Sequence, residues 1–281
     1  MPPLAHAHAL FQRYPLTGQV QLSTGPAPTP YHIYAGSGVF VGGTADLEAV
    51  HGLLQTEQVY PLVTTASRAL MGVWVMDFTE ASLDPHHELQ FSLFVTRQPA
   101  PARPAHRLAV VQAWLTRPET RMLCHGLWNN TARVTAYNRE ILGLNAQLGR
   151  SQITLAAGAL TFGFEDQATG RPLLHGRLRA AQNPSVRATW DFMRLLGFGS
   201  SRRVAAQPWV EMKVINPLGL RPRHEAALAA THSDRSALRY FDPRTDRLAI
   251  AAAPYQGLDF QPQFVQHLSG IKFVYLNPQP E

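Results

Sequence analysis

Runs of apolar residues, some alternating with polar ones, recur along the chain and predict a mainly β protein. The segment 88–95 alternates most cleanly, because its even positions carry polar residues and its odd positions are apolar; the residues are Glu88, Gln90 and Ser92, and Leu89, Phe91, Leu93 and Val95. Similar runs rich in β-branched and aromatic residues predict strands over 31–41, 59–65, 70–78, 108–115, 132–137, 153–155, 160–164, 173–178, 209–215, 248–252 and 271–276.

Helical patterns are few. Thr44 is the predicted N-cap of a short helix whose apolar positions fall on one face, and residues 184–196 predict a second helix. Residues 1–30 contain six prolines and predict an extended, proline-rich N-terminal arm. Many short strands with no linker between two halves predict a single domain over residues 31–281.

Composition removes several classes of protein. At 281 residues and 45% hydrophobic, the chain is long and apolar enough to bury a core, which excludes general disorder. The net charge is +6, but the arginines that supply it are scattered, so we expect no nucleic-acid partner. The longest apolar runs fall well short of the roughly 20 residues of a membrane helix, so we expect no membrane association.

The N-terminal sequence and the cysteine content point to a cytoplasmic location. The first residues lack the basic start and the apolar stretch of a secretory signal. The single cysteine, Cys124, has no second cysteine for a disulfide within the chain and is expected to be a small core residue.

Histidines near Glu88 raise the question of a metal. In the segment His86–His87–Glu88, alternation along a strand allows only His86 and Glu88 to share a face, and no third ligand lies nearby in the sequence. His6 and His8 have a ligand-like spacing, but they lie in the predicted arm. We therefore expect no metal and no other cofactor.

The segment Tyr137–Asn138–Arg139–Glu140–Ile141–Leu142–Gly143 follows, at a distance, an aromatic strand, a loop and the glutamate Glu88 that opens the next strand. This ordered set resembles the acetoacetate decarboxylase family, in which a Gly-Arg-Glu motif precedes a pair of lysines. The resemblance covers roughly residues 30–180. It implies a curved sheet that closes into a β-barrel around an internal pocket, a few peripheral helices, a homo-oligomer, and an active-site role for Glu88.

The departures from the family pattern remove charged groups. Ala146 and Gln147 stand at the positions of the two lysines, one of which forms a Schiff base in the family. Gly36 stands at the position of the active-site arginine, and Trp74 or a neighbour at that of an acidic residue. The chain has only two lysines, and their strand patterns predict solvent-facing positions for both, Lys213 and Lys272. A protein of this kind lacks the amine that an imine-forming decarboxylase needs.

The resulting hypothesis is a relative that binds a small organic ligand, a keto acid or other carboxylate-like molecule, in the internal pocket. Glu88 is the candidate acid or base of a lysine-independent reaction, which would make any enzyme lyase-like or isomerase-like. Candidate ligand-binding residues are His86, Arg139, Asn145 and Gln147. We expect Glu88 and residues 145–147 to line one cavity. Two alternatives stay open: a non-catalytic binding or structural protein with a residual pocket, and an Arg139–Glu140 pair that only ties a loop to the barrel.

Overall fold

A computed structural model describes residues 8–219, 222 and 224–280 of the chain. Six α-helices lie in this part: α1 (Ala9–Arg13), α2 (Leu47–Leu54), α3 (Ala109–Thr116), α4 (Ala132–Glu140), α5 (Val186–Leu196) and α6 (Phe198–Ala205). A short 3₁₀ helix covers Tyr255–Leu258. None of the helices in these ranges has the length and hydropathy needed to span a membrane.

Strands make up most of the regular structure of the same residues. They are β1 (Gly18–Leu22), β2 (Gly25–Thr29), β3 (Tyr31–Asp46), β4 (Tyr60–Pro61), β5 (Arg68–Ala81), β6 (His86–Thr96), β7 (Arg121–Asn129), β8 (Ala146–Ala156), β9 (Ala159–Asp166), β10 (Pro172–Arg179), β11 (Val210–Ile215), β12 (His224–Tyr240), β13 (Arg247–Ile250), β14 (Gln261–Tyr275) and β15 (Gln279–Pro280). The prediction of a mainly β chain with a few helices is confirmed.

Except for the β1–β2 hairpin, the strands belong to one large curved sheet. Its order is β13–β10–β9–β8–β7–β11–β12–β14–β3–β5–β6–β4, with β15 paired to β12. β7 pairs with β6 as well as with β11. The pairings therefore run from β6 through β5, β3, β14, β12, β11 and β7 and return to β6, and we call these seven strands the ring. The other end of β7 pairs with β8, which makes β7 the junction between this ring of strands and the β8–β10 extension.

The neighbouring ring strands β3, β5 and β6 are buried on both faces over most of their length, whereas β11 exposes one face. One face of β5 and β14 packs Met76, Phe78 and Phe273 into a core that also receives buried residues of α3 and α4. The opposite face of β5 and β6, with Val75 and Leu89 among its residues, packs against α2, β9 and β10. Burial on both faces explains the nearly continuous apolar run over residues 69–76 of β5.

Two apolar segments predicted as strands are helices instead. Residues 108–115 form most of α3, and residues 132–137 belong to α4. Both helices bury their apolar residues against the ring. A short apolar run fits a buried helix as well as a buried strand, so the hydrophobic pattern alone does not separate the two. Residues 59–65 were also predicted to form a strand, but within this segment the strand β4 covers just two residues, Tyr60–Pro61.

The start of α2 also differs from the prediction. Asp46, not Thr44, is the N-cap, and its Oδ1 accepts a hydrogen bond of 2.8 Å from the backbone N–H of Ala49. Thr44 is buried within β3, which ends at Asp46, five residues beyond the predicted end at Val41. An aspartate at this position also places negative charge at the helix N-terminus, where it is favourable.

The N-terminal residues carry regular structure where an extended arm was predicted. Residues 8–30 contain α1 and the β1–β2 hairpin. Leu10 and Phe11 of α1 pack against Tyr34 of β3 and Val274 of β14. This contact places α1 on the outer side of the ring.

Candidate functional site

The polar face of β6 is turned into the protein. Glu88, Gln90 and Ser92 are all buried, with 4%, 2% and 0% of their surface exposed. Leu89 and Phe91, which alternate with them, point to the opposite face and pack into the core that β5 and β6 form with α2, β9 and β10. The predicted alternation of this strand is therefore confirmed, and the face that carries the carboxyl group is the inner one.

Glu88 borders a small cavity of about 30 Å³, which has room for about one water molecule. Most of its lining is apolar, and includes Trp74, Met76, Phe78, Met122, Met212 and Phe273. Burial raises the pKa of Glu88 from 4.5 to about 7, because an apolar surrounding disfavours the ionised carboxylate. A hydrogen bond from Asn129 opposes this rise in pKa without cancelling it.

Two asparagines orient the Glu88 carboxyl group. Asn129 lies directly across from Glu88 in the β6–β7 pairing, and its Nδ2 donates to Glu88 Oε2 over 3.1 Å. Asn138 of α4, fully buried, donates its Nδ2 to Asn129 Oδ1 over 2.8 Å. Because Asn129 Oδ1 accepts this bond, its amide N–H group must face Glu88. The sequence pattern pointed to neither Asn129 nor Asn138 as a site residue.

His86 lies on the same face of β6 as Glu88 and is held neutral. Burial lowers the pKa of His86 to about 4, although the bond to the Asp84 carbonyl oxygen favours the charged form. His86 Nδ1 lies 2.8 Å from that oxygen, and Nε2 lies 3.1 Å from the hydroxyl of Tyr31. With Nδ1–H donating to the carbonyl, Nε2 is left to accept from Tyr31.

Two buried tyrosines surround the same interior. Tyr31 and Tyr275 stack with ring centroids 6.1 Å apart. Burial, and next the negative charge of Glu88, raise the pKa of both hydroxyls well above the usual value. Both tyrosines therefore keep their protons at neutral pH and are hydrogen-bond donors.

The other predicted ligand-binding residues lie elsewhere. Arg139 is exposed near the end of α4, and Asn145 is exposed, with its Nδ2 3.5 Å from the His125 carbonyl oxygen. Gln147 is half-buried on β8, beside Trp128 of β7. Within the described part of the chain, residues 145–147 do not line the cavity at Glu88, contrary to our expectation. A binding role for these residues stays a prediction.

At positions 146 and 147, where the resemblance implies two lysines, the two side chains point to opposite faces of β8. Ala146 is buried in the same core as the cavity-lining Trp74, so its side chain faces inward while that of Gln147 faces the other way.

Glu140 accepts hydrogen bonds from the backbone and hydroxyl of Ser23 in the turn between β1 and β2. That contact fits the tethering alternative for Glu140.

Neither lysine reaches the cavity. Lys213 is exposed on β11. Lys272 lies between the cavity-lining Ile271 and Phe273 on β14, so its side chain points to the opposite face, where its Nζ lies 3.0 Å from Asp234 Oδ2.

Position 36, where the resemblance implies an arginine, is closely packed. A Cβ at Gly36 would lie 2.7 Å from Phe78 Cδ1 and 3.1 Å from Ile271 Cγ2. Since both residues line the cavity at Glu88, a larger side chain at position 36 would displace part of the cavity lining.

A second, larger cavity of about 520 Å³ adjoins the first. Trp74, Met212 and Thr231 line both cavities and separate them. Trp74 stacks on Phe40 with ring centroids 4.2 Å apart, and its buried Nε1 has no hydrogen-bond acceptor among the described residues.

A metal centre finds no support in the described ranges, which contain no group of three or more His, Cys, Asp or Glu side chains placed to hold an ion. His6 of the predicted His6–His8 pair lies outside the described residues.

No family model and no curated protein sequence matches the chain. Its structure, however, is similar to solved acetoacetate decarboxylases. The enzyme from Legionella pneumophila subsp. pneumophila str. Philadelphia 1 is 11% identical and aligns over 97% of this chain and 94% of its own, with a TM-score of 0.61. A second acetoacetate decarboxylase structure is 13% identical over 90% of this chain and 88% of its own, with a TM-score of 0.53. The enduracididine biosynthesis enzyme MppR, complexed with pyruvate, is 12% identical over 94% of this chain and 98% of its own, with a TM-score of 0.49.

The fold is that of acetoacetate decarboxylase, and the resemblance inferred from residues 30–180 is confirmed at the level of the fold over nearly the whole chain.

Proposed function

We propose that the ring of strands acts as a closed barrel around a small-molecule site at Glu88, and that the protein binds a keto acid or a related carbonyl compound there. One observation carries the proposal: a buried carboxyl group with a pKa of about 7 borders a small cavity of this fold. Perturbed acids of this kind concentrate at functional sites.

The lining decides which end of such a ligand lies beside Glu88. Among the described residues, no lysine or arginine borders this cavity. A ligand carboxylate here would be buried without a positive partner and would repel ionised Glu88, which is costly. The neutral keto group therefore lies at Glu88, and the carboxylate of a keto acid lies toward solvent.

Glu88 is suited to moving a proton next to that carbonyl. At neutral pH about half of the Glu88 carboxyls are ionised, since the pKa is about 7. The carboxylate would take a proton from the carbon beside the carbonyl, the C–H electron pair would shift to form an enolate, and Glu88 would return the proton. This is isomerase-like chemistry, and it uses no amine.

The test is exchange of hydrogen for deuterium at the carbon next to the carbonyl of a simple methyl ketone, followed by NMR in deuterated water. We expect exchange to increase as the pH rises through about 7, and Glu88→Gln to slow it by about 100-fold or more. Glu165→Gln, on an exposed position of β9, is the matched control and should exchange like the unchanged protein. Equal rates for Glu88→Gln and the unchanged protein would refute the catalytic role.

The small volume of the cavity at Glu88 is also compatible with the alternative of a binding protein that has no catalytic activity. With space for about one water molecule, the cavity at Glu88 admits a ligand only if Trp74 or Met212 moves. Saturable ketone binding without exchange would assign the protein to the class of binding proteins, with a residual acid.

We also propose the homo-oligomer that the resemblance implies. Val186, Trp190 and Phe198 of α5 and α6 are 88%, 59% and 72% exposed, and such apolar side chains commonly mark interfaces. Analytical ultracentrifugation tests this, with a purely monomeric protein as the contrary result.

A further inference from the structure

The larger cavity lies among α3, α5, α6 and the neighbouring strands β11, β12 and β14. Its volume of about 520 Å³ falls within the range of small-molecule sites, roughly 300–1,000 Å³. Much of the lining is apolar or aromatic, and includes Trp114, Leu115, Phe192, Val204, Met212 and Leu238. Taking about 30 Å³ for each, this space holds on the order of fifteen non-hydrogen atoms.

One lining residue of this cavity has a buried polar atom without a partner among the described residues. Trp74 is 7% exposed, and its ring is held between Phe40, at 4.2 Å, and Trp114, at 6.4 Å. Its Nε1–H has no acceptor among the described residues. Buried indole N–H groups usually find a partner, and an unpaired one destabilises the fold. An acceptor oxygen supplied by a ligand would satisfy it.

The lining also restricts the charge of the ligand. Of the described residues around the cavity, His232 alone is ionisable. Its Nδ1 lies 2.8 Å from the Pro208 carbonyl oxygen and its Nε2 lies 3.2 Å from Asp234 Oδ1, so both ring nitrogens are engaged. Since both His232 nitrogens are already bonded to these oxygens, a charged group inside the cavity would have no free partner of opposite charge among the described lining residues, which favours an uncharged body.

We propose that the 520 Å³ cavity binds the apolar body of an uncharged aromatic or alkyl ketone, whose oxygen accepts a hydrogen bond from Trp74 Nε1. This inference deepens the proposed function and rests on it for the ligand class. Trp74, Met212 and Thr231 border both cavities, so a ligand seated here has its carbonyl end directed toward Glu88.

The probe is the neutral naphthyl ketone prodan, whose fluorescence shifts to the blue in apolar surroundings and to the red when its carbonyl accepts a hydrogen bond. We expect saturable binding with one prodan per chain. Thr189→Trp, at a half-buried lining position of α5, fills the cavity and should weaken binding about tenfold or more. Thr154→Trp makes the same substitution at an exposed position of β8 that does not line the cavity, and should leave the affinity unchanged.

Trp74→Phe tests the hydrogen bond. It keeps an aromatic ring but removes the N–H, so we expect about fivefold weaker binding and bluer emission of the bound probe. A merely structural role of Trp74 would not shift the emission. If circular dichroism shows that Thr189→Trp does not fold, Ala205→Trp on α6 fills the rim of the same cavity.

Equal affinities for the cavity-filling variant and Thr154→Trp, or no change of affinity and emission in Trp74→Phe, would overturn the inference. The two proposals fail separately. Prodan binding that responds to Thr189→Trp, together with ketone exchange that ignores Glu88→Gln, refutes only the acid–base role. Exchange that depends on Glu88 without prodan binding refutes only the inference about the larger cavity.

Discussion

Ionising Glu88 inside the protein has a cost in stability that Glu88→Gln should remove. The pKa of Glu88 is 4.5 in the exposed reference state and about 7 in the fold. At about 1.36 kcal/mol per pH unit, this difference destabilises the folded protein by about 3 kcal/mol once the carboxyl is fully ionised. Glutamine keeps the oxygen that accepts from Asn129 and never ionises.

The direction of the pH dependence follows from which state holds the proton. Between pH 4.5 and about 7 the folded protein binds the Glu88 proton more tightly than the unfolded chain. The stability associated with the protonated Glu88 carboxyl is therefore fully present below pH 4.5. It is lost as the pH rises through this window, and the stability does not change further above about pH 7. Glu88→Gln should lack this component.

Urea unfolding at pH 5 and pH 8 measures the effect. Over this interval the unchanged protein should lose about 2–3 kcal/mol more stability than Glu88→Gln. Glu165→Gln, at an exposed glutamate of β9, is the control and should follow the unchanged protein within about 0.5 kcal/mol at both pH values. If Glu88→Gln and the unchanged protein had parallel pH dependences, the burial argument for the raised pKa would be refuted.

Three further predictions concern the same interior. Asn129→Leu removes a hydrogen bond that lowers the Glu88 pKa, so carbon-detected NMR of the labelled carboxyl should show a pKa above that of the unchanged protein; a lower value would contradict the assignment. Gly36→Ala places a Cβ 2.7 Å from Phe78 Cδ1 and should destabilise the protein by about 1–3 kcal/mol in urea, whereas Gly163→Ala, with open space around its Cβ, should not. Acetoacetate with borohydride should leave no covalent adduct in the mass spectrum, and an adduct on either lysine would show that an amine reaches a substrate.

The pattern of β6 illustrates what the sequence could and could not predict. Its period of two identified the strand and separated Glu88 from Leu89, and the structure confirms both. Which face lies inside was not predictable, because an alternating strand normally turns its polar face to water. Here α2, β9 and β10 cover the apolar face, so the polar face lines the interior.

The helices α3 and α4 show the limit of local preference. The segment 108–115 is apolar almost throughout, and residues 132–137 contain Thr, Val and Tyr, which favour strands. Both segments are helices because their tertiary contacts bury the apolar side of a helix against the ring. Such contacts override weak intrinsic propensities.

Asn129 was missed for a related reason. In the sequence it precedes Asn130, and paired asparagines are typical of turns. Its place opposite Glu88 depends on the register between β6 and β7, which are separated by α3 and a long loop. Long-range register of this kind is not encoded in either segment alone.

The uncharged lining and the raised pKa of Glu88 have one physical origin. A cation within a few ångströms of Glu88 would favour the carboxylate and lower its pKa. Gly36, Trp74 and Ala146 stand where the resemblance implies an arginine, an acid and a lysine, and the described residues around the cavity include neither lysine nor arginine. Burial is then opposed only by the amide of Asn129, so the Glu88 carboxyl titrates near neutral pH. The same uncharged lining, which among the described residues carries no amine, therefore supports the proton exchange with a neutral ligand that we propose for Glu88.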